Sequence, residues 1–259
     1  MQPHLKSTIN ALFLAAGFGT RLKKIGETTP KGLFKNSQGL SITDLMVKAV
    51  TDCPQVQRLA LVSNNRFAQQ YQDHLHNKYP EHKIALVNDG VNNPQERLGS
   101  LGDLMLALNQ LNWWDKPLLV LPSDRTPENI LPKLINLHQK QPSALITCVS
   151  QDTKERIAGR FGCAQLNTNN QIVNFQEKPT QPKSNYRALA FYLFSPQALQ
   201  MLKSYQDEGQ NMDSPGNIIP WLLKNDFPVH ACISNKDSLD IGNLQELEEF
   251  QEHYLNPVD

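Results

Sequence analysis

The sequence lacks an excess of either charge: 25 lysines and arginines meet 25 aspartates and glutamates. A nucleic-acid surface calls for a basic surplus or stripe, so the balance argues against that partner while leaving room for a local cationic site. Clustered cysteine is missing as well. Cys53, Cys148, Cys163 and Cys232 stand far apart, with no CxxC pair and no Cys/His group. That pattern gives no sign of a zinc site or a disulfide framework, and scattered thiols suit a reducing compartment. Long hydrophobic runs are absent near the start. The run at 11–16 is too short for a membrane helix or the core of a secretion signal, and the opening Met1-Gln2-Pro3-His4-Leu5-Lys6 carries a single lysine. The expectation is a cytoplasmic protein without membrane or nucleic-acid partners. HExxH and Gly-x-Ser-x-Gly are also absent, which removes support for two hydrolase chemistries.

What is present is an ordinary globular composition, 39% hydrophobic and 19% charged over 259 residues, enough to bury a sizeable core. Apolar runs at 11–15, 58–62, 84–87, 118–121 and 144–149 read as strands buried on both faces. Helical patterns lie between them at 42–50, 65–78, 101–111 and 127–141. Ser41 with Asp44 marks a capping box before the first of these. Residues 17–32, punctuated by glycine and proline, read as a long irregular loop. Shorter strands at 163–166, 172–176 and 188–194 follow, then helices at 196–205 and 215–224, a strand at 229–233 and a helix at 244–253. Repeated strand–helix units predict an α/β fold with a mostly parallel sheet covered on both faces. Ligands of such sheets bind beyond the carboxyl ends of the strands, so the loops after Ala15, Val87 and Leu121 are where chemistry is expected.

The first of these loops reads Leu14-Ala15-Ala16-Gly17-Phe18-Gly19-Thr20-Arg21-Leu22. Glycine lets backbone N–H groups approach an anion, and arginine adds a fork of donors suited to phosphate. Pro30-Lys31 supplies a second cation. The dinucleotide fingerprint needs a small residue where Leu22 stands, and the Walker Gly-Lys-Ser/Thr is missing. A strand-to-loop turn without ligand is the plain alternative. Asp124 closes the fourth apolar run, and Asp240 stands in Leu239-Asp240-Ile241-Gly242; taken alone, either aspartate reads as a helix cap or solvated turn. Phe175-Gln176-Glu177-Lys178-Pro179 alone is an exposed turn.

Residues 14–22 with Pro30-Lys31 resemble the opening motifs of the sugar-phosphate nucleotidyltransferase family, and the likeness runs over roughly residues 10–250. It implies a Rossmann-like nucleotidyltransferase fold in a single domain, 1–259, with 1–125 mainly holding nucleotide and 126–259 mainly holding acceptor. It places a nucleoside triphosphate on Ala15, Ala16, Gly17, Gly19 and Thr20, and gives Arg21 and Lys31 catalytic duties. Pro122-Ser123-Asp124 occupies the place of the family's Gly-Asp, so Asp124 and Asp240 become the implied Mg²⁺ ligands. Glu177 and Lys178, with Gly162 of Arg160-Phe161-Gly162, become the acceptor site. On the base side, Asn88 becomes a candidate base reader and Gly99 part of a turn packing on the base. Three departures stand out: Ser123 for glycine, Arg125 after the aspartate, either an extra phosphate or substrate contact or, as the favoured reading, a surface charge, and Ala190 for a glycine, which narrows the acceptor pocket. The Glu-Lys-Pro continuation favours dTTP or UTP with a sugar-1-phosphate. Two alternatives share the opening motif or fold: a cytidylyltransferase acting on phosphocholine or another non-sugar phosphate, and a non-catalytic nucleotide-sugar-binding regulator.

Overall fold

The structure, a computed structural model, describes residues 8–127, 129–235 and 238–253. The opening segment read for its single lysine, Glu128 in the expected helix at 127–141, Lys236-Asp237 and the last six residues of the expected domain lie outside the described residues. The strands are β1 (Ile9–Leu14), β2 (Val56–Ser63), β3 (Ala85–Asn88), β4 (Leu118–Pro122), β5 (Leu145–Gln151), β6 (Cys163–Leu166), β7 (Ile172–Gln176), β8 (Tyr186–Phe194) and β9 (Val229–Ser234). They join in one sheet ordered β3-β2-β1-β4-β8-β5-β9, with β6 and β7 paired at its side. The run from β3 to β4 is parallel, as is β5 with β9, but β8 lies antiparallel between β4 and β5. The expected α/β architecture, a mixed and mostly parallel sheet with helices on both faces, is the one found.

Strand alternation divides the core in two. Ala11 and Phe13 of β1, Leu61 of β2 and Leu119 and Leu121 of β4 face one side. There they meet α2 (Ile42–Thr51), α3 (Ala68–Lys78), α5 (Leu131–Lys140) and α9 (Leu244–His253), through Met46, Tyr71, Leu134 and Phe250. Leu12, Ala60, Val62, Leu118 and Val120 face the other side, against α4 (Ser100–Leu111), α7 (Pro196–Asp207) and α8 (Ile218–Lys224). Because both sides are covered, the central strands read as continuous apolar runs.

The capping box forms as expected: Asp44 N–H donates to Ser41 Oγ at 3.1 Å, and Ser41 N–H to Asp44 Oδ2 at 2.8 Å. Elsewhere boundaries shift for local reasons. The loop at 17–32 holds α1 (Lys23–Thr28) between two 3-10 turns, at Thr20–Leu22 and Lys31–Leu33. Helix α3 starts at Ala68 and not at 65, because residues 64–67 form a separate turn in which Phe67 N–H donates to Asn64 Oδ1 at 3.1 Å. Helix α5 starts at Leu131, since the chain at Arg125 and Thr126 is already engaged elsewhere. A short α6 (Lys154–Ile157), capped by Thr153, falls where only a strand end was expected. Among the described residues no helix is long and apolar enough to cross a membrane.

Candidate active site

A cleft of about 600 Å³ opens across the carboxyl ends of β1 and β4. Its first wall is the loop after β1. Ala15 N–H still bonds Val62 at 2.8 Å, extending the strand by one residue. Ala16 carbonyl then accepts from the buried Asn64 side chain at 2.9 Å, which pins the loop to the end of β2. Gly19 adopts φ +64° and lies against Gly26 of α1, a conformation and a closeness that a side chain would spoil. The 3-10 turn that follows presents Arg21 to the cleft, with Gly242 close to its guanidinium.

Lys31 begins the second 3-10 turn and reaches Asp124 Oδ2 at 3.1 Å. Burial raises the Asp124 carboxyl, but Lys31 above all, with Arg125 and Arg21, outweighs it and holds the group below the ordinary carboxylate range. Asp240 arrives from the far end of the chain by a short backbone bridge. Thr126 N–H donates to Leu239 at 3.0 Å, and Ile241 N–H to Asp124 carbonyl at 2.8 Å. Burial and the field of Asp124 push the Asp240 carboxyl up. Asp124 thus opposes the ionisation of Asp240, a repulsion that a hard divalent cation held by both carboxylates would relieve.

Arg125 lies inside this bridge. It is 3% exposed, ion-paired to Asp240 at 3.1 Å and bonded to Ser238 carbonyl at 2.9 Å. The favoured expectation of a surface charge is therefore overturned: the segment of residues 238–241, bridged to it at Asp240, packs over it. Its guanidinium also lies 5.7 Å from the Phe161 ring, which Arg160 and Arg187 approach at 5.2 and 4.9 Å.

The opposite wall carries Arg160, Phe161, Gly162, Glu177 and Lys178. Lys178 holds φ +46°, a strained conformation for lysine that aims the residue from a turn. Glu177 is wedged against Gly162 and Gly216, where no Cβ fits beside its Oε2, and accepts from Ser214 Oγ at 3.0 Å. Burial raises its carboxyl, partly opposed by Ser214 and Lys178. Ala190 also lines the cleft, at φ +59°, where glycine is the unstrained choice.

The cleft thus collects Ala15, Ala16, Gly17, Gly19, Thr20, Arg21, Lys31, Asp124, Gly162, Glu177, Lys178 and Asp240. It does not collect Asn88 or Gly99. Asn88 ends the edge strand β3; its amide donates to Asn65 Oδ1 at 2.7 Å, and it lines a separate groove with Gln69 and Gln72. Gly99, at φ +80°, lies against the backbone of Met212 and Asp213, so its missing side chain serves a packing contact. Several cleft residues escaped the sequence reading, Tyr71 and Asp103 among them. Tyr71, fully enclosed, sets its hydroxyl against Gly32 and Ser123. Asp103 sits one turn into α4, buried, and burial with the field of Asp89 pushes its carboxyl up to about 7. For Asp103 the available signal was a carboxylate inside the apolar pattern of α4, whereas Tyr71, an aromatic on the buried side of the polar helix α3, reads as core.

A family model described as Nucleotidyl transferase matches residues 10–257. A solved structure assigned as a glucose-1-phosphate thymidylyltransferase from Bacillus anthracis, in complex with sucrose, superposes with a TM-score of 0.76. It is 19% identical and covers 93% of each chain. A UDP-glucose pyrophosphorylase complexed with UDP-glucose superposes with a TM-score of 0.75 at 17% identity, over 93% of this chain and 96% of that one.

Proposed function

The chain belongs to the nucleotidyl transferase family, and from that premise we propose that it joins dTTP or UTP to a sugar-1-phosphate and releases pyrophosphate. One observation carries the reading: a single cleft holds a glycine-rich loop with Arg21 and Lys31 on one wall, Glu177 and Lys178 on the other, and paired aspartates among them.

The acceptor's phosphate has a second pKa of about 6 and is mostly dianionic at neutral pH, so its oxygen needs no general base. That oxygen attacks the α-phosphorus in line, and the bond to the bridging oxygen of pyrophosphate breaks. Catalysis then rests on placement and charge. Backbone N–H groups of residues 16–20 and the Arg21 guanidinium hold the triphosphate. Lys31 exchanges Asp124 for the α-phosphate oxygens as charge gathers there. Lys178 holds the attacking phosphate, and Glu177 accepts from acceptor hydroxyls. Asp124 and Asp240 are the residues that would hold Mg²⁺. When bound, the ion supplies neutralisation of phosphate charge, and Arg125 keeps Asp240 in place.

Pyrophosphate release, measured for dTTP and each common NTP with Mg²⁺ against sugar-1-phosphates and phosphocholine, tests the reading. The expected result is one productive pair containing dTTP or UTP and a sugar-1-phosphate, abolished by Asp124→Ala. Turnover of phosphocholine with CTP would replace the acceptor assignment. Nucleotide binding without turnover of any pair would make the chain a regulator.

A further inference from the structure

Asp103 has no part in the reaction outlined above, yet it lines the same cleft. It is 8% exposed, and its Oδ1 is buried without a hydrogen-bond partner among the described residues. A carboxyl oxygen left unmatched inside a protein costs stability, so its retention needs a reason outside the folded chain's own contacts.

The surroundings restrict what that reason is. The first N–H groups of α4 are already spent: Ser100 N–H donates to Asp213 carbonyl at 3.2 Å, and Leu101 N–H to Met212 carbonyl at 3.0 Å. Two of the first N–H groups of this helix are therefore unavailable to a phosphate, and Asp89 adds further negative field. An anion is unfavourable here. The cations of the cleft, Arg21 and Lys31, belong to the loop after β1 and the turn beyond it. The unmatched Oδ1 is an acceptor and calls instead for a neutral donor. In a nucleoside triphosphate those donors are the sugar hydroxyls and the N–H groups of the base. Leu14 and Ala15 line the cleft at the end of β1 and Ser100 at the start of α4, so apolar and hydroxyl surface accompanies the carboxyl. Asn88, the residue expected to read the base, is bonded to Asn65 outside this cleft.

Resting on the nucleotidyl-transfer reading, we propose that Asp103 is a specificity-determining residue that accepts a hydrogen bond from an O–H or N–H of the nucleoside. It stands where the phosphate-binding loop gives way to α4, and so sorts nucleotides by their neutral end.

The test compares the full-length chain with Asp103→Ala and Asp103→Asn. Initial rates are measured with the nucleotide that the unaltered protein prefers, its 2′-deoxy or 2′-hydroxy counterpart, and the uracil and cytosine pair on one sugar. Thermal melting is recorded alongside. Loss of one charge-assisted hydrogen bond predicts a KM raised roughly tenfold for the preferred nucleotide with kcat within about threefold, and no fall in melting temperature. Collapse of the ribo-to-deoxy ratio identifies a sugar hydroxyl as the donor, and collapse of the uracil-to-cytosine ratio identifies the base. If the alanine variant fails to fold, the asparagine variant decides, because it keeps an acceptor oxygen, loses the charge and adds a donor. An altered nucleotide ratio in it supports the proposal. Unchanged KM for every nucleotide in a folded variant overturns it, and leaves nucleotidyl transfer standing. A wild-type protein that binds no nucleotide by calorimetry overturns the parent reading and this one together.

Discussion

Lys31 is held at 3.1 Å by Asp124 in the structure, so the incoming nucleotide has to draw it away from an existing partner. Its side chain is 12% exposed, and nothing else in the second 3-10 turn can take its place at the cleft. Lys31→Ala is expected to lower kcat by roughly 100-fold or more, the size of losing one preorganised charge contact. The nucleotide KM should move far less; near-normal turnover at saturating substrates would remove Lys31 from the chemistry. Ala190 makes the opposite case, a residue whose replacement should help. At φ +59° an alanine carries left-handed strain that glycine avoids. Ala190→Gly is expected to stabilise the protein by about 0.5–1 kcal/mol in urea titrations, net of glycine's greater freedom when unfolded. Removing the methyl from the cleft wall should also widen the range of acceptors turned over. At this scale the phosphate loop and both aspartates were legible, because short motifs carry them. Arg125 was not, since what buries it is a segment 113 residues further along the chain.

Among elements, the segment at 211–215 does the most joining. Its Asp213 takes two bonds from Arg97, at 2.9 and 3.1 Å, and its carbonyls cap the start of α4. Its Ser214 then reaches Glu177 on the acceptor wall. Gly99 is where this strap closes against α4. A Cβ there would sit 2.8 Å from Asp213 Cα, on a backbone at φ +80°. Gly99→Ala should cost about 2 kcal/mol by overpacking, visible as a lower urea midpoint, and should disturb acceptor as well as nucleotide kinetics. A loss confined to nucleotide KM would restore Gly99 to a role at the base. Helices and central strands were readable from apolar period and run length. The antiparallel setting of β8 was not, because a strand buried on both faces shows the same apolar run in either direction. Helix α1 escaped too: its residues, Lys23–Thr28, include Gly26 and pack against Gly19, so tertiary contact and not periodicity makes it a helix.

The whole molecule should show a pH response with two separable limbs. Asp44 joins α2 to α3 by accepting from His74, Lys78 and Tyr79 at 2.8, 2.7 and 2.7 Å. Burial opposes its charge, but these partners and Ser41 hold its carboxyl well below the ordinary value. A depressed carboxyl stabilises the fold above its unfolded pKa, near 4, and that contribution fades as pH falls below it. Asp103 acts in reverse. Raised to about 7 by burial and Asp89, it contributes fully below pH 4 and loses its contribution as pH rises from about 4 to 7. Melting temperatures across pH 3–8 should therefore fall at both ends of this range. Asp103→Asn should flatten the upper limb alone, and Asp44→Asn the lower. An unchanged upper limb in the Asp103 variant would show that the carboxyl is ionised in the folded protein.

The bridge between residues 124–126 and 238–241 has a bearing on how the chain is made. Its contacts span 113 residues, so during synthesis the loop after β1, Lys31 and Asp124 are all in place long before Asp240 leaves the ribosome. A nascent or clipped chain ending before residue 238 thus carries Lys31 and Asp124 while lacking the second of the two cleft aspartates. Completion of the active site is in this way tied to completion of the polypeptide, and fragments ending before residue 238 should be catalytically silent by construction.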